Sequence, residues 1–231
     1  MSFFTKTKEA TFEELNTSKN GLTEEEASKR LEEYGHNKLA EGKKKGMIAK
    51  FIDQFKNLMI IVLLVAAVVS VVVEPEEGLI DAIIILFVVI VNAILGVVQE
   101  SKAEKSLEAL KSMSSPFAKV RRNGEIVHVK TEDLVPGDIV ILEAGDFVPA
   151  DMRLIEIASL KIEEAALTGE SVPVEKEDIV IEKEDAPLGD RVNMAFSGSS
   201  VSYGRGEGVV IGTGMNTEVG KIASYLSESD N

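Results

Sequence analysis

Two long apolar runs dominate the sequence and most strongly restrict the folds open to it. They cover residues 58–73 and 82–98, and each contains a single polar residue. A helix needs about 20 residues to cross the hydrocarbon core of a bilayer, so each run must recruit apolar residues from its flanks. We therefore predict two transmembrane helices, at about residues 55–74 and 79–98, joined by the short acidic turn 74–78.

Lysine residues flank the outer ends of this helical hairpin and orient it. A lysine excess in short loops marks the cytoplasmic side of a membrane, so both chain ends are predicted to be cytoplasmic in an integral protein of the plasma membrane. Residues 43–56 also alternate basic with apolar residues at helical spacing, which is typical of a helix lying on the membrane surface. The alternative, two buried helices in a soluble bundle, fits less well because neither run has a polar face. The flanking lysines are Lys43, Lys44, Lys45, Lys50, Lys56, Lys102, Lys105 and Lys111.

Charge and composition limit the other partners of the chain. The formal net charge of -14 makes nucleic acid an unexpected partner, since phosphate binding needs a basic face. The sequence contains no cysteine, which excludes disulfides and thiolate sites for soft metals. The partner that the composition indicates is the lipid bilayer.

Residues 1–46 are predicted to form a small N-terminal helical pair. Thr11 and Thr23 each precede a glutamate by three residues, the arrangement in which a threonine caps the start of a helix. Asn20-Gly21 fits the turn between the two helices, and Gly35 can end the second one. Four apolar side chains should then lie roughly along one face: Leu22, Ala27, Leu31 and Tyr34.

The helix of the second apolar run is predicted to continue out of the membrane. Residues 99–113 place lysine, glutamate and serine on one side and leucine and methionine on the other, and residues 114–116 stop the helix. A helix shared between bilayer and cytoplasm would act as a lever, because force on its soluble part reaches the membrane without a flexible joint. Residues 47–113 thus comprise the interfacial helix, the membrane hairpin and this stalk.

Beyond the stalk the pattern changes to short strands and turns, which predicts a compact all-β domain over residues 114–221. Asn123-Gly124 is a strong hairpin signal. Two glycine-rich segments, residues 197–200 and 203–208, are predicted to be turns. A phosphate-binding loop is the alternative, but neither a Gly-Lys-Ser/Thr ending nor the dinucleotide spacing follows them. The predicted strands cover residues 118–122, 125–130, 139–142, 152–157, 160–162 and 209–213.

One tight loop in this domain carries the candidate catalytic residues Thr168, Gly169, Glu170 and Ser171. Gly169 permits a backbone bend that a side chain would obstruct, so the Glu170 carboxylate is held out on a turn. Such a group can accept a proton from a water and orient that water for attack, provided that an electrophile is brought to it. Taken alone, these four residues also fit an ordinary polar turn with a solvated glutamate.

Several other polar residues could bind metals or line a transport path, but simpler roles are favoured. Asp138 and Asp151 are predicted to cap their own turns. His36 has no second ligand spaced near it and is predicted to be a capping or surface residue. Asp81 and Asn92 are costly in hydrocarbon without partners, and Asn92 is predicted to bond to a neighbouring helix. No metal or cofactor site is predicted in this chain.

The loop, the hairpin, Pro136-Gly137-Asp138 and Pro149-Ala150-Asp151 together resemble the amino-terminal part of a P-type cation-transporting ATPase. The resemblance covers residues 11–223 and is closest to the calcium-pump branch. It implies that the β domain is a distorted, jelly-roll-like actuator, and that residues 222–231 begin a linker to a third membrane helix. It further implies that Glu170 positions and activates a hydrolytic water, that Thr168 and Gly169 shape the loop, and that Ser171 braces it.

The same resemblance implies that this chain contains only part of a pump. The parent pump would use ATP and Mg²⁺, whereas this chain has no Asp-Lys-Thr-Gly-Thr phosphorylation segment, nucleotide domain or later membrane helices. It is therefore expected to bind no cofactor and to be inactive by itself. Residues 54–70, the helix pair and residues 215–221 favour Ca²⁺ as the cargo, with protons, sodium or magnesium left open. The rival hypothesis is a non-enzymatic, membrane-anchored β module or accessory subunit.

Overall fold

The computed structural model describes residues 2–40, 46–111 and 117–229, which fall into two compact units. One unit combines Met1–Ala40 with Ser114–Asn231, and the other is Glu41–Met113. The N-terminal residues therefore belong to the same compact unit as the β domain.

The two predicted N-terminal helices are present as α1 (Lys8–Glu14) and α2 (Glu24–Tyr34). Thr23 caps α2 as predicted, because its hydroxyl accepts a hydrogen bond from the backbone N–H of Glu26 at 3.1 Å. The cap predicted at Thr11 is wrong. Thr7 caps α1 one turn earlier, and Thr11 is buried inside the helix, where its hydroxyl donates to the Thr7 carbonyl.

Helix α2 is fixed to the β domain by its inner face. Leu22 and Ala27 are buried beside Val135, while Tyr34 is 50% exposed, so its predicted place on the buried face is wrong. Tyr34 is the last helical residue, and Gly35, with φ 76°, ends the helix as predicted. Arg30 is almost buried and donates hydrogen bonds to the carbonyls of Leu15, Asn16 and Pro136.

The unit Glu41–Met113 contains helices α3 (Met47–Gln54), α4 (Leu58–Val73) and α5 (Glu77–Lys111). Within the described residues, α5 is the one single helix long and apolar enough to span a bilayer; α3 and α4 pass the same test together, across a bend of 64°. Alone, the 16 residues of α4 reach about 24 Å, less than the roughly 30 Å of hydrocarbon. The lysines at 43–45 and the predicted helix stop at 114–116 lie outside the described residues, as does the joint on which the lever hypothesis depends.

Helices α4 and α5 pack through small and branched side chains. Val89, Ala93 and Val97 recur every fourth residue on α5 and are buried, as is Ile60 of α4. At the connecting turn the backbones come so close that a Cβ on Gly78 would lie 2.2 Å from the Ser70 carbonyl oxygen. The turn is shorter than predicted because α5 already begins at Glu77.

The β domain is built on one antiparallel sheet of seven strands. The strands follow the order β2-β1-β3-β7-β4-β5, with β6 paired to β4. Two helices complete the domain, α6 (Ala165–Thr168) and α7 (Glu218–Ser229). The strands are β1 (Phe117–Arg122), β2 (Glu125–Lys130), β3 (Ile139–Glu143), β4 (Asp151–Glu163), β5 (Val174–Glu175), β6 (Met194–Ala195) and β7 (Ser200–Gly212).

The predicted hairpin at Asn123-Gly124 is confirmed, since both residues have positive φ and β1 pairs with β2 across them. The predicted turn at 203–208 is wrong, because these residues lie inside β7. Their glycines serve close packing instead. A Cβ on Gly208 would lie 2.6 Å from the sulfur of Met152 on the neighbouring strand. Any residue larger than glycine at this position would therefore have to displace the Met152 side chain.

Candidate functional site

The predicted catalytic loop connects two paired strands at one edge of the sheet. β4 and β5 are antiparallel, with Ile162 opposite Val174, and the loop leaves β4 through the single helical turn α6. Gly169 ends that turn with φ 76° and ψ 0°, a left-handed conformation that glycine adopts without a steric cost. The chain then presents Glu170 and Ser171 to solvent.

Thr168 organises the backbone on both sides of this bend. Its hydroxyl donates to the carbonyl of Glu164 at 3.1 Å and accepts from the backbone N–H of Glu170 at 3.3 Å. The Gly169 N–H donates to the Ala165 carbonyl at 2.9 Å. Since Glu170 has no ion-pair partner among the described residues, its carboxylate is available to a partner that approaches from outside.

Sequence reasoning missed a buried ion pair at the base of the loop. The Lys176 ammonium lies 2.5 Å from Oε1 of Glu164, and both side chains have zero exposure. Burial raises the pKa of Glu164, which the lysine partly offsets, and burial lowers the pKa of Lys176. Both residues have charged neighbours in the sequence, so the sequence around them does not indicate that they are buried while those neighbours are exposed.

An apolar cluster supports the loop from below. Leu167, immediately before Thr168, packs against buried Phe4, Met194 and Phe196. The carbonyl of Phe4 accepts hydrogen bonds from the Asn193 side chain at 2.8 Å and from the Ile181 N–H at 3.1 Å. The chain's fourth residue is thus part of the platform on which the predicted catalytic loop rests.

Asp138 caps its own turn as predicted, and it also has a second partner. Its Oδ2 accepts from the backbone N–H of Val135 at 3.1 Å, and Arg122 donates to both carboxylate oxygens at 2.9 and 2.8 Å. Asp138 is fully buried, so the pair links β1 to the turn before β3. Both carboxylate oxygens are thus engaged by groups of the fold.

Asp151 caps distant segments, and the prediction that it caps its own turn is wrong. It begins β4 with its side chain directed inward, where Oδ1 accepts from the Ser197 N–H at 2.8 Å and Oδ2 from the Glu218 N–H at 2.7 Å. Glu218 is the first residue of α7, so Asp151 fixes the start of that helix. Burial raises the pKa of Asp151 to about 6, against the lowering effect of both backbone donors.

The other polar candidates do not assemble into a metal site. His36 is exposed, with Nδ1 3.0 Å from a carboxylate oxygen of Asp133. Across the described ranges, no group of three or more His, Asp or Glu side chains is placed to hold a metal ion. In the hairpin the Ser70 hydroxyl donates to Asp81 at 3.3 Å, and the partner predicted for Asn92, which is exposed on α5, stays a prediction.

Comparison with known proteins finds two family models that match this chain. Residues 112–227 match the family described as the P-type ATPase actuator domain, and residues 3–70 match the cation transporter/ATPase N-terminus. The chain therefore belongs to the P-type ATPase family, as the resemblance predicted, and the loop of Thr168 to Ser171 lies in its actuator domain.

Several individual P-type ATPases are similar to this chain over nearly its whole length. The chain is 49% identical to calcium-transporting ATPase 1 of Bacillus cereus, with 99% of this chain and 26% of the relative aligned. It is 50% identical to a calcium-transporting ATPase of Listeria monocytogenes, with 100% and 26% aligned. It is also 41% identical to a sodium/potassium exporting P-type ATPase of Schizosaccharomyces pombe, with 98% and 22% aligned. The chain thus spans about a quarter of the length of these curated relatives.

Proposed function

We propose that the chain is the amino-terminal part of an ATP-driven cation pump, and that its actuator loop discharges an aspartyl phosphate formed on another domain of that pump. The observation that carries this proposal is an exposed glutamate, Glu170, held on a left-handed glycine bend in a domain of the P-type ATPase family. The β module without enzymatic partners is not favoured, because one matched family covers the N-terminal residues 3–70, the other covers the loop, and a calcium-transporting relative aligns with 99% of the chain.

The chemistry assigned to Glu170 is general base catalysis. Its carboxylate would accept a proton from a water as the water oxygen attacks the phosphorus atom. The bond from phosphorus to the aspartate oxygen breaks, and its electron pair returns to the aspartate, which leaves inorganic phosphate and a free carboxylate. Thr168 and Gly169 would hold the bend close to the phosphoryl group, and Ser171 would brace the far side of the loop.

The remaining parts of the pump lie outside this chain. ATP and Mg²⁺ are proposed to bind to phosphorylation and nucleotide-binding domains, and the residues described here would act only on the phosphorylated product. We propose Ca²⁺ as the cargo because two of the relatives cited are named as calcium-transporting. We also propose that the chain divides into an N-terminal helical region (1–46), a membrane segment with its stalk (47–113), the actuator domain (114–221) and the start of a linker (222–231).

The membrane arrangement is likewise proposed. We infer a second span at about residues 55–74, with both chain ends on the cytoplasmic side of the plasma membrane, because α4 is apolar except for Ser70 and needs only a few flanking residues to reach across; α3 is retained as a helix on the membrane surface. We also propose that the antiparallel sheet of the actuator domain has a distorted, jelly-roll-like fold. Rotation of this domain would pull on the hairpin and so open or close the ion path.

Replacement of Glu170 in the whole pump tests the assignment. Glu170→Ala should still form the phosphoenzyme from ATP, but its hydrolysis should slow about 10²–10⁴-fold, the usual contribution of a general base. The measurement is the decay of labelled phosphoenzyme after a chase with unlabelled ATP. Glu182→Ala, which removes another exposed glutamate of the same domain, is the matched control. Decay at the unmodified rate in Glu170→Ala would refute the role.

A further inference from the structure

We propose that the buried pair of Glu164 and Lys176 positions the actuator loop, so that the two residues set where the Glu170 carboxylate stands during hydrolysis. This inference rests on the proposed function. The pair brackets the loop, since Glu164 follows β4 and Lys176 follows β5. The 2.5 Å contact between their charged groups therefore closes the base of the segment that contains Thr168 to Ser171.

A continuous series of hydrogen bonds leads from this pair to the catalytic glutamate. The backbone carbonyl of Glu164 accepts from the N–H of Leu167 at 2.9 Å, from the N–H of Thr168 at 3.0 Å and from the Thr168 hydroxyl at 3.1 Å. The same hydroxyl accepts from the Glu170 N–H. A displacement of Glu164 is therefore transmitted through one residue, Thr168, to the backbone of Glu170.

Lys176 is held as firmly as its partner. Its backbone N–H donates to the Leu160 carbonyl at 2.9 Å, and its ammonium lies 5.9 Å from the centre of the Phe196 ring, within the cluster that receives Leu167. The second carboxylate oxygen of Glu164 is buried and has no hydrogen-bond partner among the described residues. Lys176 is thus the charged group on which the orientation of the Glu164 carboxylate depends.

Stability alone is a poor reason for such a pair. Two charges removed from water lose their hydration, and apolar residues of similar volume often stabilise a fold as well or better. A 2.5 Å contact between groups of zero exposure instead fixes the relative position of two chain segments. Since a displacement of about 1 Å at a reacting group can lower a rate about 100-fold, fixed geometry at the base of this loop matters for proton transfer at Glu170. Glu164 and Lys176 are positioning residues in this scheme and do not contact the phosphoryl group.

The test uses the whole pump and removes both charges together. In the double variant Glu164→Leu with Lys176→Met, no buried charge is left unpaired, so the thermal unfolding temperature should stay close to that of the unmodified protein. Phosphoenzyme formation should be retained, while its hydrolysis should slow about 10- to 100-fold. Lys176→Arg keeps the charge but must fit a larger guanidinium into a fully buried site, so its hydrolysis should be faster than that of the double variant and slower than that of the unmodified protein.

A second ion pair of the same domain provides the matched control. Arg121 and Glu207 form a two-bond pair with both distances at 2.5 Å, between β1 and β7 and outside the loop. The double variant Arg121→Met with Glu207→Leu should leave phosphoenzyme hydrolysis unchanged. If it slowed hydrolysis as much as loss of the loop pair, the effect would be general and the positioning role would be refuted.

The outcomes separate this inference from the function on which it rests. Normal hydrolysis in the Glu164/Lys176 double variant, with Glu170→Ala still impaired, would overturn the positioning role alone. Loss of both phosphoenzyme formation and thermal stability in the double variant would assign the pair to folding and also overturn it. Normal hydrolysis in Glu170→Ala would refute the proposed function itself.

Discussion

Asp151 should make the stability of the actuator domain fall as the pH rises. Its side chain is 4% exposed, and burial raises its pKa from the ordinary value of 3.8 to about 6. The folded state therefore binds this proton more tightly than the unfolded state does. The resulting stabilisation is fully present below about pH 4 and is lost as the pH rises through about 6. At about 1.4 kcal/mol for each pH unit between the two values, the loss is roughly 3 kcal/mol.

Asp151→Asn isolates this contribution, because asparagine keeps the shape and one acceptor oxygen but cannot ionise. The free energy of unfolding would be measured by denaturant titration in detergent, for both proteins, between pH 3.5 and 7.5. Loss of one cap to Ser197 or Glu218 shifts the variant by an amount that does not depend on pH, about 1 kcal/mol. The difference between the two proteins should change by roughly 3 kcal/mol from pH 4 to 7, in favour of the variant.

The matched control is Asp185→Asn, which removes the same charge from an exposed position of the same domain. Its difference curve should vary by less than about 0.5 kcal/mol over the same range. A flat difference curve for Asp151→Asn would show that the buried carboxylate does not favour its protonated form. A curve of opposite sign would show that its two backbone donors outweigh desolvation, and either result would refute the reasoning.

Two further predictions concern packing and buried charge. Gly208→Ala should destabilise the domain by about 1–3 kcal/mol in denaturant titrations, because the added Cβ would lie 2.6 Å from the Met152 sulfur. Gly189→Ala, whose nearest new contact is an ordinary 3.7 Å, should change stability by less than about 1 kcal/mol, and equal effects would contradict the packing argument. Asp138→Ala should cost about 3 kcal/mol, because Arg122, 6% exposed, loses its buried partner and keeps the exposed carboxylate of Glu24 at 3.2 Å. Adding Arg122→Met to that variant should recover part of the loss, and no recovery would argue against an unpaired charge as its cause.

Features specified by neighbouring residues could be predicted from the sequence. The cap at Thr23, the helix end at Gly35 and the hairpin at Asn123-Gly124 each need only a few consecutive residues, and all three are confirmed. The family resemblance needs more than one local motif, because the loop around Glu170 also fits an ordinary polar turn. It rests on that loop together with the apolar hairpin and the turns at residues 136–138 and 149–151.

Features that depend on distant partners could not be predicted. The glycines of residues 203–208 are typical of turns, yet here they make room for backbone and side-chain atoms of β4. Glu164 and Lys176 resembled solvated charges until the strands placed them against each other. Asp151 was expected to act locally, whereas its partners lie 46 and 67 residues further along the chain.

The hydrogen bond between the Phe4 carbonyl and the Asn193 side chain joins residues 189 positions apart. During translation at 5–20 residues per second, Phe4 therefore leaves the ribosome about 10–40 s before the asparagine side chain that bonds to its carbonyl. Both apolar runs are synthesised within that interval. The platform of the actuator loop can thus close only after the nascent hairpin has been made.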